Sequence, residues 1–241
     1  MLREPPGAGG DYKKMKIHIV TAFPRFFDSP LGESMMKRAS QRGLAEFLIY
    51  DLRDFTTDKH RSVDDYPYGG GPGMIMKPEP FFAAVEHIRT THQIPGARVI
   101  LTSPTGEKFS QQKANALVQE AALIFLCGHY KGLDERVHQY LATEELSIGD
   151  YVLTCGELPA LVMADAIVRL LPGVLGDLDS ATGDSFQTGW LDYPHYTRPE
   201  EFRGWRVPEI LLSGHHAKIA QWRREQAETR TRERRADLLK S

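Results

Sequence analysis

Between residues 147 and 160 the chain reads Ser-Ile-Gly-Asp-Tyr-Val-Leu-Thr-Cys-Gly-Glu-Leu-Pro-Ala. Gly149 and Gly156 bracket a short apolar run, Tyr151 to Leu153, predicted as a strand. Pro159 stands near the start of a predicted helix that continues through Leu171. Small residues in such a loop expose backbone N–H and C=O groups, so a flat ligand can press against main chain instead of side chains. The same composition fits a tight strand-to-helix turn, and the residues alone leave both readings open. Asp58, His60, Asp64 and Asp65 offer metal-type donors, although solvent-facing polar residues of a loop account for them better. Gly69, Gly70, Gly71 and Gly73 allow close backbone approach, but the Lys-Ser/Thr that completes a phosphate-cradling loop is missing.

Elements that must position these residues follow from periodicity. Strands are expected at Met15 to Phe23, Phe47 to Leu52, Arg98 to Thr102 and Leu123 to Cys127. Helices are expected at Ser29 to Arg42, Pro80 to Arg89 and Ser110 to Glu120, the last with Ser110 as N-cap, and again after Ser213 as a cap. Strands alternating with helices predict an α/β domain with a mostly parallel sheet. The loops 102–106, 127–132 and 147–156 are all rich in small residues and suit one pocket at the carboxyl edge of such a sheet. No Gly-x-Gly-x-x-Gly fingerprint occurs, which argues against an ordinary dinucleotide or Rossmann methyltransferase site.

At 241 residues, 41% hydrophobic and 26% charged, the chain has the composition of a globular protein with a sizeable core. Its longest apolar run, Ala121 to Cys127, is far too short to span a membrane. Residues 1–14 hold two prolines and three glycines without an apolar signal core, and read as a disordered extension. Cys127 and Cys155 make neither a disulfide framework nor a metal-ligand spacing, consistent with a reduced, cytoplasmic protein. The net charge of −2 hides an asymmetry: from Ser213 onward it is +4, leaving −6 for the rest. A basic tail on an acidic body suits a polyanion such as nucleic acid. Residues 175–189 lack periodicity and read as a linker.

Several ordered segments together resemble the bacterial tRNA (guanine-37-N1)-methyltransferase family of the SPOUT superfamily. They are Asp-Lys-His and Val-Asp-Asp within 58–65, Pro-Tyr-Gly-Gly-Gly-Pro-Gly-Met at 67–74 and Gly-His-Tyr-Lys-Gly-Leu-Asp-Glu-Arg at 128–136. The 147–154 loop, Pro-Gly-Val-Leu-Gly at 172–176 and Asp-Ser-Phe at 184–186 continue the match. Pro-His-Tyr-Thr-Arg-Pro at 194–199 and Ser-Gly-His-His at 213–216 complete it.

The resemblance implies an S-adenosylmethionine domain over 15–174 with a deep trefoil knot, the flexible linker 175–189, and a helical tRNA-binding domain over 190–241. The general rule that chains do not knot would have excluded that topology from the sequence alone. By position, Gly128, Ile148, Gly149, Asp150, Tyr151, Val152 and Leu153 carry over as cofactor contacts. Ser103 and Pro104 line the pocket, and Tyr130 and Gly156 are placed with them. The family is an obligate homodimer with its active site at the subunit interface, acting on N1 of guanosine 37 beside the anticodon. That nitrogen must lose a proton before it can attack a methyl group. The base maps to Asp184 and a supporting cation to Arg169, and Arg169 is expected to face guanine O6. A catalytically inactive tRNA-binding adapter on the same fold is the alternative. Two positions depart from better-known members: Lys131 replaces Glu and Cys155 replaces Gly. The charge reversal at Lys131 puts a transferred Mg2+ dependence in doubt.

Overall fold

Unbroken apolar runs such as Ala122–Cys127 need cover on both faces of their sheet, and they receive it. The computed structural model describes residues 14–175 and 184–239. The chain divides into two units, Met1–Gly176 and Asp177–Ser241. The expected extension (1–14) lies almost wholly, and the expected linker (175–189) largely, outside the described residues.

In the first unit the strands are β1 (Met15–Thr21), β2 (Ala45–Asp51), the two-residue pair β3 (Asp64–Asp65) and β4 (Ile75–Met76), β5 (Arg98–Lys108), β6 (Ala122–Cys127) and β7 (Glu144–Ser147). The helices are α1 (Asp28–Leu31), α2 (Ser34–Gln41), α3 (Pro78–His92), α4 (Gln111–Leu117), α5 (Glu135–Tyr140) and α6 (Glu157–Val168). Five strands form one sheet in the order β2-β1-β6-β5-β7, every neighbouring pair parallel.

Side-chain alternation sorts each strand between two cores. Ile17, Ile19, Leu123, Phe125 and Cys127 join Met36, Leu117, Met163, Ile167 and Val168 on one side. Val20, Ile124, Leu126, Val99 and Leu101 join Phe81, Val85 and Ile88 of α3 on the other. Prolines at the start of α3 preset its first turn, and Gln93 in the left-handed region closes it. Ser110 caps α4 as expected, its Oγ accepting from Lys113 N at 3.2 Å.

Some expectations need correction. The helix read from 29 to 42 breaks into α1 and α2 at Gly32. The helix after Pro159 stops at Val168, because Pro172 and Gly173 (φ +84°) turn the chain. Tyr151 to Leu153 is not a strand: Tyr151 N donates back to Gly149 O at 2.9 Å, so the segment folds on itself. Ser213 does not cap the long helix, which begins at His216. Its Oγ donates to Ile210 O and accepts from His215 N, closing the preceding turn instead.

In the second unit, β8 (Glu201–Phe202) and β9 (Trp205–Arg206) form a hairpin whose Arg203 and Gly204 both have positive φ, the twist a two-residue hairpin turn demands. The helix His216–Arg234 carries the basic tail. Its buried Thr231 accepts from Leu191 N at 2.9 Å, and Arg223 stacks over Tyr193. Among the described residues no helix is long and apolar enough to cross a membrane.

One polar cluster interrupts the α3-side core. His18, on central β1, is fully buried; its Nδ1 meets Tyr50 Oη at 3.0 Å, and Tyr50 Oη in turn meets His92 Nε2 at 2.9 Å. Burial, aided by His92 and Lys16 and opposed by Glu46, pushes the His18 pKa down from 6.5 to about 4. Between those two values the unfolded chain therefore binds the proton that the folded chain refuses. Stability is expected to fall as pH drops from 6.5 toward 4, by on the order of 3 kcal/mol at most. Urea midpoints measured across that window should fall with pH in the parent and less steeply in His18→Gln. Parallel slopes would remove His18 as the cause.

Candidate active site

Because β6, β5 and β7 are adjacent and parallel, their carboxyl ends bring the loops after Thr102, Cys127 and Ser147 together. These three loops line one cavity of about 320 Å³, within the range of small-molecule sites. Of the residues expected at a cofactor, Ser103, Pro104, Gly128, Tyr130, Ile148, Gly149, Tyr151, Val152, Leu153 and Gly156 line it. Asp150 is not among the lining residues; its exposed carboxylate pairs with Lys108 Nζ at 2.8 Å. Arg169 does not line the cavity either. Arg169, half-buried, follows the last turn of α6, its N–H donating to Asp165 O. Asp184 belongs to the second unit, where its carbonyl accepts from Gln187 N.

Backbone holds the loops in place. Gly156 N donates to Gly128 O at 2.8 Å, and His129 and Cys155 form an antiparallel bridge. The approach is so close that a Cβ at 156 would lie 2.3 Å from Thr102 Oγ1 and 2.7 Å from Gly128 N. Gly149 has φ +153°, and a Cβ there would meet the Tyr151 ring at 2.5 Å. Ser147 Oγ steadies this turn, donating to Gly149 O and accepting from Gly149 N.

Beyond Thr102 the register of β5 against β7 slips, and the chain at Gly106 runs hard against the backbone of Glu145. Thr105 Oγ1 donates to Glu145, whose other oxygen lies 3.2 Å from His138 Nδ1. Burial tends to raise the Glu145 pKa, but hydrogen bonds from Ser103, Thr105 and His138 hold it below the usual range. The cavity wall beside it thus keeps a fixed negative group.

Residues that the sequence reading passed over sit at the foot of the same loops. Glu157, the first residue of α6, is fully buried. One of its oxygens accepts from Thr21 Oγ1 and the other lies 2.8 Å from His129 Nε2. Thr21 ends β1, and Thr102 Oγ1 similarly donates to Leu126 O at 3.1 Å. In the sequence, Gly-Glu-Leu-Pro signalled only a helix start; its partner Thr21 is 136 residues away. By contrast, Asp58 is used locally, accepting from the backbone of His60 and Ser62.

The match to known proteins spans the whole of this arrangement. The family model for tRNA (Guanine-1)-methyltransferase TrmD matches residues 15–241. The chain belongs to that family. It is similar to the tRNA (guanine-N(1)-)-methyltransferase of Geobacillus kaustophilus (strain HTA426), with 55% identity over 93% of this chain and 91% of the relative. The protein of that name from Bacillus subtilis (strain 168) is 52% identical over 94% of this chain and 93% of its own length. The one from Thermosynechococcus vestitus (strain NIES-2133 / IAM M-273 / BP-1) is 55% identical over 93% and 94%. Within the family frame, both departures seen in the sequence, Lys131 and Cys155, lie in the cavity wall.

Proposed function

We propose that this chain transfers the methyl group of S-adenosylmethionine to N1 of guanosine 37 in tRNA. The observation that carries the reading is the family match across residues 15–241, joined to a cavity formed by the three small-residue loops. The cavity's chemistry suits the cofactor. Leu133, Leu146, Ile148, Val152, Leu153 and Pro159 offer an apolar bed for a base, and Lys131 offers a partner for a carboxylate. Bound there, S-adenosylmethionine supplies an electrophilic methyl on a sulfonium.

Asp184 accepts the N1 proton of guanine, and Arg169 faces O6, where negative charge develops as that proton leaves. The family's obligate pairing makes the site composite, with Asp184 of one subunit serving the cavity of the other. Exposed apolar side chains support a pairing surface: Tyr151 and Val152 in the loop, and Leu158 and Val162 one turn apart on α6. The proposed trefoil knot lies within 15–174. The basic helix His216–Arg234 contacts tRNA phosphates in the cytoplasm.

The described residues offer magnesium no dedicated cage of protein oxygens. That ion demands near-octahedral oxygen ligands. Among the described residues the one grouping of three potential ligands, His129, Cys155 and Glu157, offers a single carboxylate beside nitrogen and sulfur. No step is therefore assigned to it.

The deciding experiment incubates the chain with S-adenosylmethionine and bulk unmodified tRNA, followed by nucleoside analysis. Formation of 1-methylguanosine is expected. Cofactor binding without that product would instead indicate a non-catalytic tRNA-binding protein.

A further inference from the structure

We propose that His129, Cys155 and Glu157 form a binding site for a thiophilic divalent cation of the zinc type. A ring nitrogen, a thiol sulfur and a carboxylate oxygen from these residues all lie within 4.8 Å of one another. Nitrogen, sulfur and carboxylate oxygen are the donor set of tetrahedral zinc. Bonds of about 2.0–2.3 Å would place such ligand atoms roughly 3.3–3.6 Å apart. The required contraction is therefore on the order of an ångström. Where His129 Nε2 now lies 2.8 Å from the Glu157 carboxylate, a slight parting is needed instead.

The frame is preorganised without the metal. His129 and Cys155 face each other across the antiparallel bridge, and Gly156 N fastens the same two loops to each other through Gly128 O. Glu157 is oriented by Thr21 Oγ1, the kind of outer hydrogen bond that fixes a carboxylate ligand. The Phe23 ring packs on His129 at 4.4 Å between centroids, limiting its movement. His129 and Cys155 also line the cavity, which gives an ion in solution a route to them. On binding, the Cys155 S–H bond breaks, a metal–sulfur bond forms and the proton leaves to solvent. Cys155 supplies the sulfur, and relatives with glycine there would lack it.

The site rests on this ligand set and not on the methyl-transfer reading, so its test uses metal alone and no tRNA. The full chain is titrated with Co2+, followed by thiolate-to-metal absorption in the near ultraviolet, and then with Zn2+ against a chromophoric chelator. The parent should bind one equivalent and show the thiolate band. Cys155→Ser should lose the band and weaken Zn2+ binding roughly a hundredfold, and His129→Gln roughly tenfold or more. His60→Gln, which alters an exposed histidine outside the cavity lining, should leave the affinity unchanged. Glu157→Gln could disturb folding, so the two cavity-wall variants decide the matter, with thermal melts confirming that each is folded. Equal Zn2+ affinity in the parent and Cys155→Ser would overturn the site. An undiminished band and affinity in His129→Gln would also overturn it, reducing it to a single reactive thiol.

Discussion

Asp184→Ala is expected to lower turnover by roughly two to four orders of magnitude, the range over which a positioned general base acts. Cofactor affinity should hold, because the change removes a base and leaves the three loops of the cavity intact. Single-turnover rates with bound tRNA separate the two effects. A subunit-mixing experiment then locates the base. Gly149→Val blocks the cavity loop, since a β-branched residue must adopt φ +153° and would strike the Tyr151 ring. Each variant should be inactive alone. In a mixed dimer the blocked subunit still lends its Asp184 to the intact cavity of its partner, restoring one site of two. Random exchange in equal amounts makes about half the dimers mixed, so activity should return to about a quarter of the parent. If base and cavity come from one chain, every site in the mixed dimer lacks a component. No recovery after verified exchange would then place Asp184 in cis.

Gly156→Ala should be nearly as damaging, through a single methyl group. Its Cβ has no room: Thr102 Oγ1, Gly128 N and Cys127 Cα would lie at 2.3, 2.7 and 3.0 Å. Overpacking of this kind costs about 1–3 kcal/mol. Separating the loops also forfeits the Gly156–Gly128 hydrogen bond, adding roughly 1 kcal/mol. The melting temperature should drop by about 4–16 °C, and affinity for a cofactor analogue should fall at least about tenfold, a loss of ~1.4 kcal/mol. Adding Thr102→Ala removes one of the three conflicts and leaves the two backbone ones, so it should recover little. Full recovery in the double variant would show that the hydroxyl, and not the backbone, sets the requirement for glycine.

What could be read from the sequence was the part encoded locally. The alternation in β1, the apolar run of β6 and the regular succession of strands and helices announced a parallel sheet, and three clusters of small residues announced loops that meet at its edge. β7 escaped notice because Glu144 and Glu145 make it look like a polar turn. As an edge strand it carries those charges profitably: Glu144 is held by Arg98 and Lys113, and Glu145 by Thr105 and His138. Tyr151 to Leu153 was misread for the opposite reason. Its residues favour strands, yet the hydrogen bond back to Gly149 and the exposure of Val152 show a loop built to present apolar side chains. Glu157 was illegible because its role depends on Thr21 and His129, which only the completed sheet brings near.

The placement of β1 has a consequence for the birth of the protein. Its neighbours are β2, about thirty residues on, and β6, more than a hundred residues on. During synthesis, β1 and β2 can pair soon after they emerge, but the other edge of β1 waits unpaired until β6 is made. Through that interval Ile17, Ile19 and Val20 lack the core that later covers them. At roughly 5–20 residues per second the wait lasts on the order of five to twenty seconds. The nascent chain thus carries an open, sticky strand edge for nearly half of its translation, and a holding chaperone would find its target in the first fifty residues.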